Sequence, residues 1–146
     1  MSTPVLSDTE FGLLRDWVYA QAGISMSSSK KPLMMSRLLK RLNHHGLPTF
    51  GEYHRMLTNG SSREEPQIAI DLLTTNETYF FREPKHFDFL RQQAIRTRRP
   101  GASYRVWSAA CSSGEEPWSI AMTLAELLPD SPWEIAASDL STRVLD

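Results

Sequence analysis

Three acidic residues follow the two stretches of this sequence that are best suited to be parallel strands. Glu115 and Glu116 come after the small-residue loop 111–114, and Asp139 comes after the apolar run 133–138. Small residues allow a backbone to turn tightly and to approach a ligand closely. Ligands of parallel α/β folds bind beyond the carboxyl ends of the strands. The pattern therefore predicts a ligand site whose charge is set by carboxylates.

The hydrophobic pattern predicts the elements that hold these acids. Residues 104–110 are apolar, rich in β-formers and bounded by a turn signal, which predicts a buried strand. Pro117 suits the first turn of the next helix. The apolar face of that helix comprises Ile120, Leu124, Leu127 and Leu128. With a second strand at residues 133–138, these elements form the first βαβ part of a nucleotide-type fold.

The acids also indicate which ligand to expect. Gly114 is the only glycine of the loop and no lysine follows it, so neither a dinucleotide fingerprint nor a P-loop is present. Carboxylates at a helix start repel a phosphate. They favour a cationic ligand instead, such as the amino-acid end of a sulfonium cofactor. Asp139 lies about 24 residues after the loop, near the spacing of a ribose-binding acid. Two interpretations remain open: an S-adenosylmethionine site, or a plain βαβ unit with a helix-capping glutamate and a turn aspartate.

The composition is that of an ordinary globular chain. The sequence has 146 residues, of which 40% are hydrophobic and 23% charged. Its net charge of −1 gives no overall attraction to nucleic acid or to an anionic membrane. No apolar run approaches the roughly 20 residues that span a bilayer, and we expect no signal peptide. We therefore expect a cytoplasmic protein without membrane insertion.

The single cysteine, Cys111, excludes an intrachain disulfide and a cysteine-based metal cluster. The four histidines show no HExxH arrangement, so we expect no metal site. A helix start can stabilise a thiolate, but the neighbouring glutamates oppose one. We interpret Cys111 as a small buried residue.

Helical signals dominate the first part of the chain. One helix begins at a capping box of Ser7 and Glu10 and ends at Gly23, and a second covers roughly residues 30–45 and ends at Gly46. The residues expected on their core-facing stripes are Phe11, Leu14, Val18, Ala22, Met34, Met35, Leu38, Leu39 and Leu42.

Two shorter helices are predicted next. One starts at a second capping box, formed by Thr49 and Glu52, and the other covers about residues 65–73. Their expected core residues are Tyr53, Met56, Leu57, Ile68, Leu72 and Leu73. Four short helices with brief loops predict a small all-α module.

The second predicted helix carries a local excess of positive charge. Its basic residues are Lys30, Lys31, Arg37, Lys40 and Arg41, and no acidic residue occurs between residues 25 and 51. This patch is either a solvated helix face or a docking surface for an acidic partner. Nucleic acid is not the expected partner, because no aromatic residues for base stacking are interleaved with the charges.

A segment with polar and aromatic residues follows the four helices. Asn76, Thr78 and Arg82 are spaced by even numbers, so an extended backbone would place them on one side, facing a ligand. Tyr79 and Phe81 would then pack away from that ligand. A plain loop that docks its aromatic residues has the same composition.

Pro84 is predicted to begin another helix. Its expected apolar face comprises Phe87, Leu90, Ala94 and Ile95, and its basic end comprises Arg96, Arg98 and Arg99. Basic residues in a last turn suit the helix dipole, and we assign them no further role.

Two blocks, residues 74–83 (TTNETYFFRE) and 105–119 (RVWSAACSSGEEPWS), closely resemble the CheR family. These are S-adenosylmethionine-dependent methyltransferases that methylate glutamate side chains of bacterial chemotaxis receptors. The resemblance implies a small all-α N-terminal domain followed by the beginning of an α/β Rossmann-like methyltransferase domain. The implied parts are a receptor-docking domain at residues 1–73, a linking segment and helix at 74–100, and the first βαβ part at 101–146.

The resemblance also implies roles for single residues. Asn76, Thr78 and Arg82 match cofactor-contacting positions of the family. Glu115 matches the acid that binds the methionine moiety, and Asp139 matches the acid that holds the ribose. Arg82 further matches an arginine beside the reacting centre, where its planar guanidinium suits two-point contact with a substrate carboxylate. The implied cofactor is S-adenosyl-L-methionine, with S-adenosylhomocysteine as product.

The basic second helix resembles the family's receptor-docking helix. This implies that Lys30, Lys31, Arg37, Lys40 and Arg41 contact the acidic methylation region in the cytoplasmic domain of a chemoreceptor. The implied activity is that of a protein-glutamate O-methyltransferase in chemotaxis adaptation. Because family members continue further, we expect an incomplete form that does not turn over alone, and an open sheet that favours a homodimer. The alternatives are a non-catalytic receptor-binding or regulatory module, and a methyltransferase acting on nucleic acid.

Overall fold

The computed structural model describes residues 3–146 and divides into two compact units, with the boundary after Thr74. The first unit is helical, and the second contains a parallel βαβ arrangement. The predicted fold class, a small all-α domain followed by the start of an α/β domain, is confirmed. Residues 75–100 fall within the second unit, and the predicted domain limits at residues 73 and 100 stay predictions. Within residues 3–146, no helix combines the length and the apolar character of a membrane span.

The first unit consists of four helices and one short 3-10 turn, Ser28–Lys30. The helices are α1 (Asp8–Ala22), α2 (Lys31–His45), α3 (Phe50–Thr58) and α4 (Glu65–Leu73). They lie where the sequence predicts them, because their end signals are local. Ser7 and Glu10 form the complete capping box of α1, while Gly23 and Gly46 end α1 and α2 in the left-handed conformation that glycine adopts without strain.

Only one of the two hydrogen bonds of the second predicted capping box is present within residues 3–146, so that prediction is partly wrong. Thr49 accepts a hydrogen bond from the Glu52 amide, but the described residues show no reciprocal bond from the Glu52 side chain. Instead, the Gly51 amide donates to Glu10 Oε1 at 2.8 Å, while Glu10 Oε2 caps α1. One carboxylate therefore serves the starts of both α1 and α3.

The core of the first unit is formed by all four helices. Its buried residues include Phe11, Leu14, Val18, Met34, Leu38, Leu42, Phe50, Tyr53 and Leu73. The predicted face of α4 is partly wrong, because Ile68 and Leu72 are only half-buried. The buried side chains of α4 are Glu65, Ala69, Ile70 and Leu73. Helical spacing places Glu65 in line with Ala69 and Leu73, so an acid shares the inward face.

The second unit contains α5 (Pro84–Thr97), β1 (Tyr104–Ser108), α6 (Glu115–Leu127) and β2 (Trp133–Ala137). The two strands pair in parallel, from Tyr104 opposite Trp133 to Ser108 opposite Ala137. Helices α5 and α6 contribute the buried residues Phe87, Ala94, Ile120, Leu124 and Leu128, and inward side chains of both strands pack against them.

The prediction that the first strand is buried is correct for one face only. Tyr104 and Val106 pack toward the helices, whereas Trp107 on the opposite face is 69% exposed. This alternation follows from the period of two along a strand. Ile95 also departs from the prediction, since it is 58% exposed instead of joining the apolar face of α5.

Candidate functional site

A cavity of about 100 Å³ lies at the carboxyl ends of β1 and β2, and we call it the carboxyl-end cavity. It is lined by Thr75, Asn76, Glu77, Thr78, Arg82, Phe87, Ala110, Ser112, Glu116 and Asp139. Four of the five predicted cofactor residues, Asn76, Thr78, Arg82 and Asp139, are therefore brought together. Glu115 is not among the lining residues.

Asp139 is fixed by the backbone of two loops. Its Oδ2 accepts a hydrogen bond from the Ser112 amide at 2.9 Å, and its Oδ1 accepts one from the Ser141 amide at 2.8 Å. Ser112 has φ 47° and Gly114 has φ 108°, so the loop turns sharply between β1 and α6. A left-handed conformation at a non-glycine residue stores strain, which is often found at ligand sites. The loop and the acid after β2 are thus held as one structure.

Arg82 reaches the carboxyl-end cavity by a turn and not by an extended strand. Its amide donates to the Tyr79 carbonyl at 3.3 Å, and Phe81, inside the turn, has φ 54°. The Phe81 amide donates to Ser119 Oγ at 2.9 Å, which anchors the turn on α6. The extended backbone that the even spacing assumes is therefore wrong at Arg82, although Asn76, Thr78 and Arg82 all line the carboxyl-end cavity.

The aromatic residues of this segment only partly follow the prediction. Phe81 packs edge-on against Phe87, with ring centroids 5.2 Å apart, but Tyr79 is exposed. The Arg82 guanidinium donates to the Glu77 carbonyl at 2.8 Å. A guanidinium has five N–H donors, so most of its donors stay available for a ligand.

Two adjacent glutamates have different surroundings at the start of α6. Ser108 Oγ donates to Glu116 Oε1 at 2.7 Å, and Glu116 lines the carboxyl-end cavity. Glu115 instead accepts a hydrogen bond from the hydroxyl of Ser113 at 2.7 Å. Neighbouring helical side chains project about 100° apart, so one cavity rarely receives both. The residue pattern alone did not distinguish the two acids, and the family resemblance assigned the role to Glu115, which does not line the cavity.

Cys111 is buried and has no role as a nucleophile. Burial raises the pKa of its thiol, and the nearby charges of Asp139 and Glu116 raise that pKa further. Since a thiolate is the reactive form, the thiol stays protonated and inert near neutral pH.

The lining residues fit part of an adenosyl sulfonium cofactor. Asn76 Nδ2 is buried and has no hydrogen-bond partner among the described residues, and such donors normally find an acceptor. The carboxylates of Glu116 and Asp139 suit a cation and hydroxyl donors. Drug-sized ligands occupy cavities of about 300 Å³ or more, so a cavity of about 100 Å³ holds one portion of such a molecule.

Two of the five basic residues of the patch are paired with acids, which corrects the prediction that the patch lacks counter-charges. Lys31 Nζ lies 2.6 Å from Asp8 Oδ1. Arg41 makes a two-point contact with Glu65, at 2.8 and 2.7 Å. Both acids come from other helices, so the acid-free stretch of sequence was misleading.

The remaining members of the patch differ from one another. The Arg37 guanidinium donates to the carbonyls of Leu72 and Thr74 at the end of α4, at 3.2 and 3.4 Å. Lys30 and Lys40 are exposed, and their ammonium groups make no hydrogen bond or ion pair within residues 3–146. Both ammonium groups are therefore fully available to a partner, whereas Arg37 keeps its charge but is held by carbonyls.

Sequence reasoning missed the buried network around Glu65, which is 2% exposed. Its carboxylate accepts a hydrogen bond from Tyr53 Oη at 2.7 Å, and His45 Nε2 lies 2.9 Å from it. Burial alone would raise the pKa of Glu65, but hydrogen bonds from Arg41, His45 and Tyr53 lower it to about 2. Burial, with the neighbouring Glu65 charge, raises the pKa of Tyr53.

A parallel βαβ arrangement with a cavity at the carboxyl ends of its strands places the second unit in the class of nucleotide-type α/β domains. Comparison with known families is consistent with that class. Residues 9–74 match the family model described as CheR methyltransferase, all-alpha domain. Residues 76–146 match the one described as CheR methyltransferase, SAM binding domain. The chain belongs to the CheR methyltransferase family, whose cofactor is S-adenosyl-L-methionine.

Curated relatives carry the same family description. The chemotaxis protein methyltransferase of Escherichia coli (strain K12) is 46% identical over 143 residues, which is 97% of this chain and 49% of that protein. Chemotaxis protein methyltransferase 2 of Pseudomonas aeruginosa is 45% identical over 94% of this chain and 49% of its own length. The chemotaxis protein methyltransferase of Borreliella burgdorferi is 38% identical over 97% of this chain and 53% of its own length. The chain spans about half the length of these relatives.

Proposed function

We propose that this chain supplies the receptor-docking unit and the first part of the cofactor site of a protein-glutamate O-methyltransferase that acts on chemoreceptors. The names of the relatives, chemotaxis protein methyltransferases, support the substrate class. The observation that carries the proposal is the carboxyl-end cavity, where Asn76, Arg82, Glu116 and Asp139 converge beyond β1 and β2.

Three of the lining residues have distinct tasks in holding S-adenosyl-L-methionine. When bound, this cofactor supplies an electrophilic methyl group. Both oxygens of Asp139 already accept one backbone hydrogen bond, and each keeps acceptor capacity for a ribose hydroxyl. Glu116 provides negative charge for the cationic portion. The unpartnered Nδ2 of Asn76 donates to an acceptor of the cofactor.

Arg82 positions the substrate glutamate. A glutamate side chain with an ordinary pKa of about 4.3 is ionised at neutral pH, so it needs no general base. The exposed guanidinium of Arg82, with one interaction to the Glu77 carbonyl, orients that carboxylate through its remaining donors. Attack on a cationic methyl group neutralises charge, which water opposes, so alignment and exclusion of water are the tasks of the protein.

The experiment is a calorimetric titration of the chain with S-adenosyl-L-methionine, using Asn76→Ala and, as a matched control, Gln92→Ala on the exposed side of α5. Asn76 Nδ2 has no partner to lose in the folded chain, so removing it is neutral or stabilising. We expect saturable binding by the unchanged chain, about tenfold weaker binding by Asn76→Ala and no change for the control, since a lost hydrogen bond to a bound ligand is worth about 1 kcal/mol or more.

If Asn76→Ala and the unchanged chain bind S-adenosyl-L-methionine with equal affinity, the carboxyl-end cavity is not the cofactor site. Absence of saturable binding, both by this chain and by a version extended to the length of its relatives, would remove the cofactor role altogether.

The receptor partner follows from the charges left on α2. We infer that Lys30 and Lys40 contact the acidic methylation region of a chemoreceptor's cytoplasmic domain, because their ammonium groups make no hydrogen bond or ion pair within residues 3–146. Arg37 and Arg41 hold the helix in place instead, through α4.

The open sheet also favours a homodimer. Within residues 3–146, β1 and β2 pair only with each other, and unpaired strand edges promote association. Sedimentation velocity over a range of concentrations tests this inference. A sedimentation coefficient that rises with concentration is expected, and one that stays at the monomer value contradicts it.

A further inference from the structure

A second cavity, of about 330 Å³, lies at the opposite end of the parallel sheet, and we call it the amino-end cleft. Its walls come from the end of α5, the start of β1 and the turn before β2. The lining residues used below are Ile95, Arg98, Arg99, Tyr104, Leu128 and Pro132. Tyr104 and Pro132 lie at or just before the first paired residues of the two strands. This cleft is therefore separate from the carboxyl-end cavity.

The cleft has a positive charge that the protein does not neutralise. Arg98 and Arg99 make no hydrogen bond or ion pair through their guanidinium groups within the described part of the chain. Asp130 is near in sequence to Ser131 of the wall, but its carboxylate pairs with neither arginine. The dipole of α5 favours cations near its end by up to about 1 kcal/mol, yet neither guanidinium caps a helix carbonyl. Their donors are free for an anion.

Apart from Ser131, the other side chains of the wall are mainly apolar. Leu128 is buried, with 1% of its surface exposed, and Pro132 and the ring of Tyr104 stand beside it. Ile95 is 58% exposed although it lies on the cleft, so its side chain is available to cover a ligand. A volume of about 330 Å³ falls within the range of small-molecule sites, which begins near 300 Å³.

We propose that the amino-end cleft is a second binding site, for a small organic anion with an apolar body. Guanidinium groups recognise carboxylates and phosphates by paired hydrogen bonds, while the apolar wall accepts a ring or an alkyl group. A phosphate ester and a carboxylate share this chemistry.

The test uses probes that separate recognition of the anionic group from recognition of the apolar body. Phenyl phosphate and benzoate combine an anion with a ring, inorganic phosphate has only the anion, and benzyl alcohol has only the apolar body. We expect the two organic anions to shift the amide NMR signals of residues 98–104 and 128–132 in a saturable way. Inorganic phosphate and benzyl alcohol are expected to bind at least about tenfold more weakly, because each loses one class of contact. Whichever of phenyl phosphate and benzoate binds more tightly identifies the anionic group.

Three variants locate the site. Arg98→Gln and Arg99→Gln are each expected to weaken binding of the better organic anion by about tenfold, since hydrogen bonds to charged groups are worth about 1.5–3 kcal/mol. Ile95→Ser removes part of the apolar cover without disturbing the core, because this side chain is largely exposed. The matched control is Arg96→Gln, on the same helix end but outside the cleft wall, and we expect it to bind like the unchanged chain.

Several results would overturn the proposal. Shifts at Asn76 and Ser112 in place of the cleft would assign the probes to the carboxyl-end cavity. Equal binding of inorganic phosphate and phenyl phosphate would remove the apolar wall from the recognition. A tetraglutamate peptide that binds the cleft more tightly than either organic anion would make it a protein-docking surface. These readouts do not depend on methyl transfer, so they are independent of the function proposed above.

Discussion

Glu115 and Glu116 are neighbours in sequence, but only Glu116 lines the carboxyl-end cavity among the described residues. Both acids lie in the first turn of α6, where negative charge suits the helix dipole. Glu115 is engaged by the Ser113 hydroxyl, whereas Glu116 lines the carboxyl-end cavity and holds the Ser108 hydroxyl at the end of β1. Matching to the family assigns the methionine-binding role to Glu115, while the geometry favours Glu116.

Replacing each acid by its amide distinguishes the two assignments. We expect Glu116→Gln to weaken binding of S-adenosyl-L-methionine by about tenfold, or about 1.4 kcal/mol, because a charge facing a cationic ligand is lost in a partly enclosed site. Glu115→Gln is the matched control and should change affinity by less than about twofold. Titration calorimetry of both variants provides the comparison. A larger loss for Glu115→Gln would return the role to Glu115.

At the scale of the elements, three basic side chains of α2 bind groups of α1 and α4, and these contacts hold the helix in place. Asp8 of α1 neutralises Lys31, Glu65 of α4 neutralises Arg41, and the carbonyls at the end of α4 accept from Arg37. The basic side chains of this patch that bind no other residue within residues 3–146 are Lys30, just before α2, and Lys40 on α2. Reversing Arg41, in contrast, would place two negative charges together at a buried position.

Charge reversal of Lys40 tests the docking role of α2. We expect Lys40→Glu to weaken binding to a chemoreceptor's cytoplasmic domain by about twofold to fivefold, since exposed ion pairs contribute up to about 1 kcal/mol. The effect should shrink at high salt as the charges become screened. Arg55→Glu, on an exposed position of α3, is the control with the same charge change. Equal losses for both variants would mean that only net charge matters and that α2 is not the docking element.

The elements that the sequence predicts well are those whose signals are local. Helix ends at Ser7, Gly23 and Gly46 depend on residues within one turn, and the periodicity of α6 depends on its own side chains. The missed features depend on contacts that sequence spacing does not encode. The charged Glu65 side chain is stabilised on the inward face of α4 by Arg41, which lies 24 residues earlier in the sequence. Arg82 likewise reaches the carboxyl-end cavity through a left-handed turn that alternation along a strand does not predict.

At the scale of the whole molecule, the near-zero net charge conceals a buried charged network in the first unit. Arg41, His45 and Tyr53 surround the Glu65 carboxylate, so four side chains from α2, α3 and α4 share one centre. Removing one partner of a buried ion pair usually costs more than an exposed pair contributes, because the other charge stays buried alone. The stability of this unit should therefore depend on the ionisation of Glu65.

That dependence has a defined pH window. The folded-state pKa of Glu65 is about 2, below the ordinary value of 4.5, so the unfolded chain binds the proton more readily. The stabilisation is fully present above about pH 4.5 and is lost as the pH falls toward 2. This difference between the folded-state and ordinary pKa of Glu65 corresponds to roughly 3 kcal/mol of stability. We expect the free energy of unfolding to fall by about that amount across the window, measured by urea unfolding followed through the amide NMR signals of α2.

Two variants show whether Glu65 is responsible. Glu65→Gln keeps the shape of the side chain but removes the charge, so it should be destabilised by roughly 3 kcal/mol at neutral pH. Its free energy of unfolding should also show little of the decline between pH 4.5 and 2. Glu64→Gln removes an exposed neighbouring charge and should keep both the stability and the decline of the unchanged chain. If Glu65→Gln does not fold, the curve of the unchanged chain still decides, because a flat free energy between pH 4.5 and 2 contradicts the buried network. The same decline in Glu65→Gln as in the unchanged chain would assign the acid sensitivity to other carboxylates, such as Glu10 at the joined starts of α1 and α3.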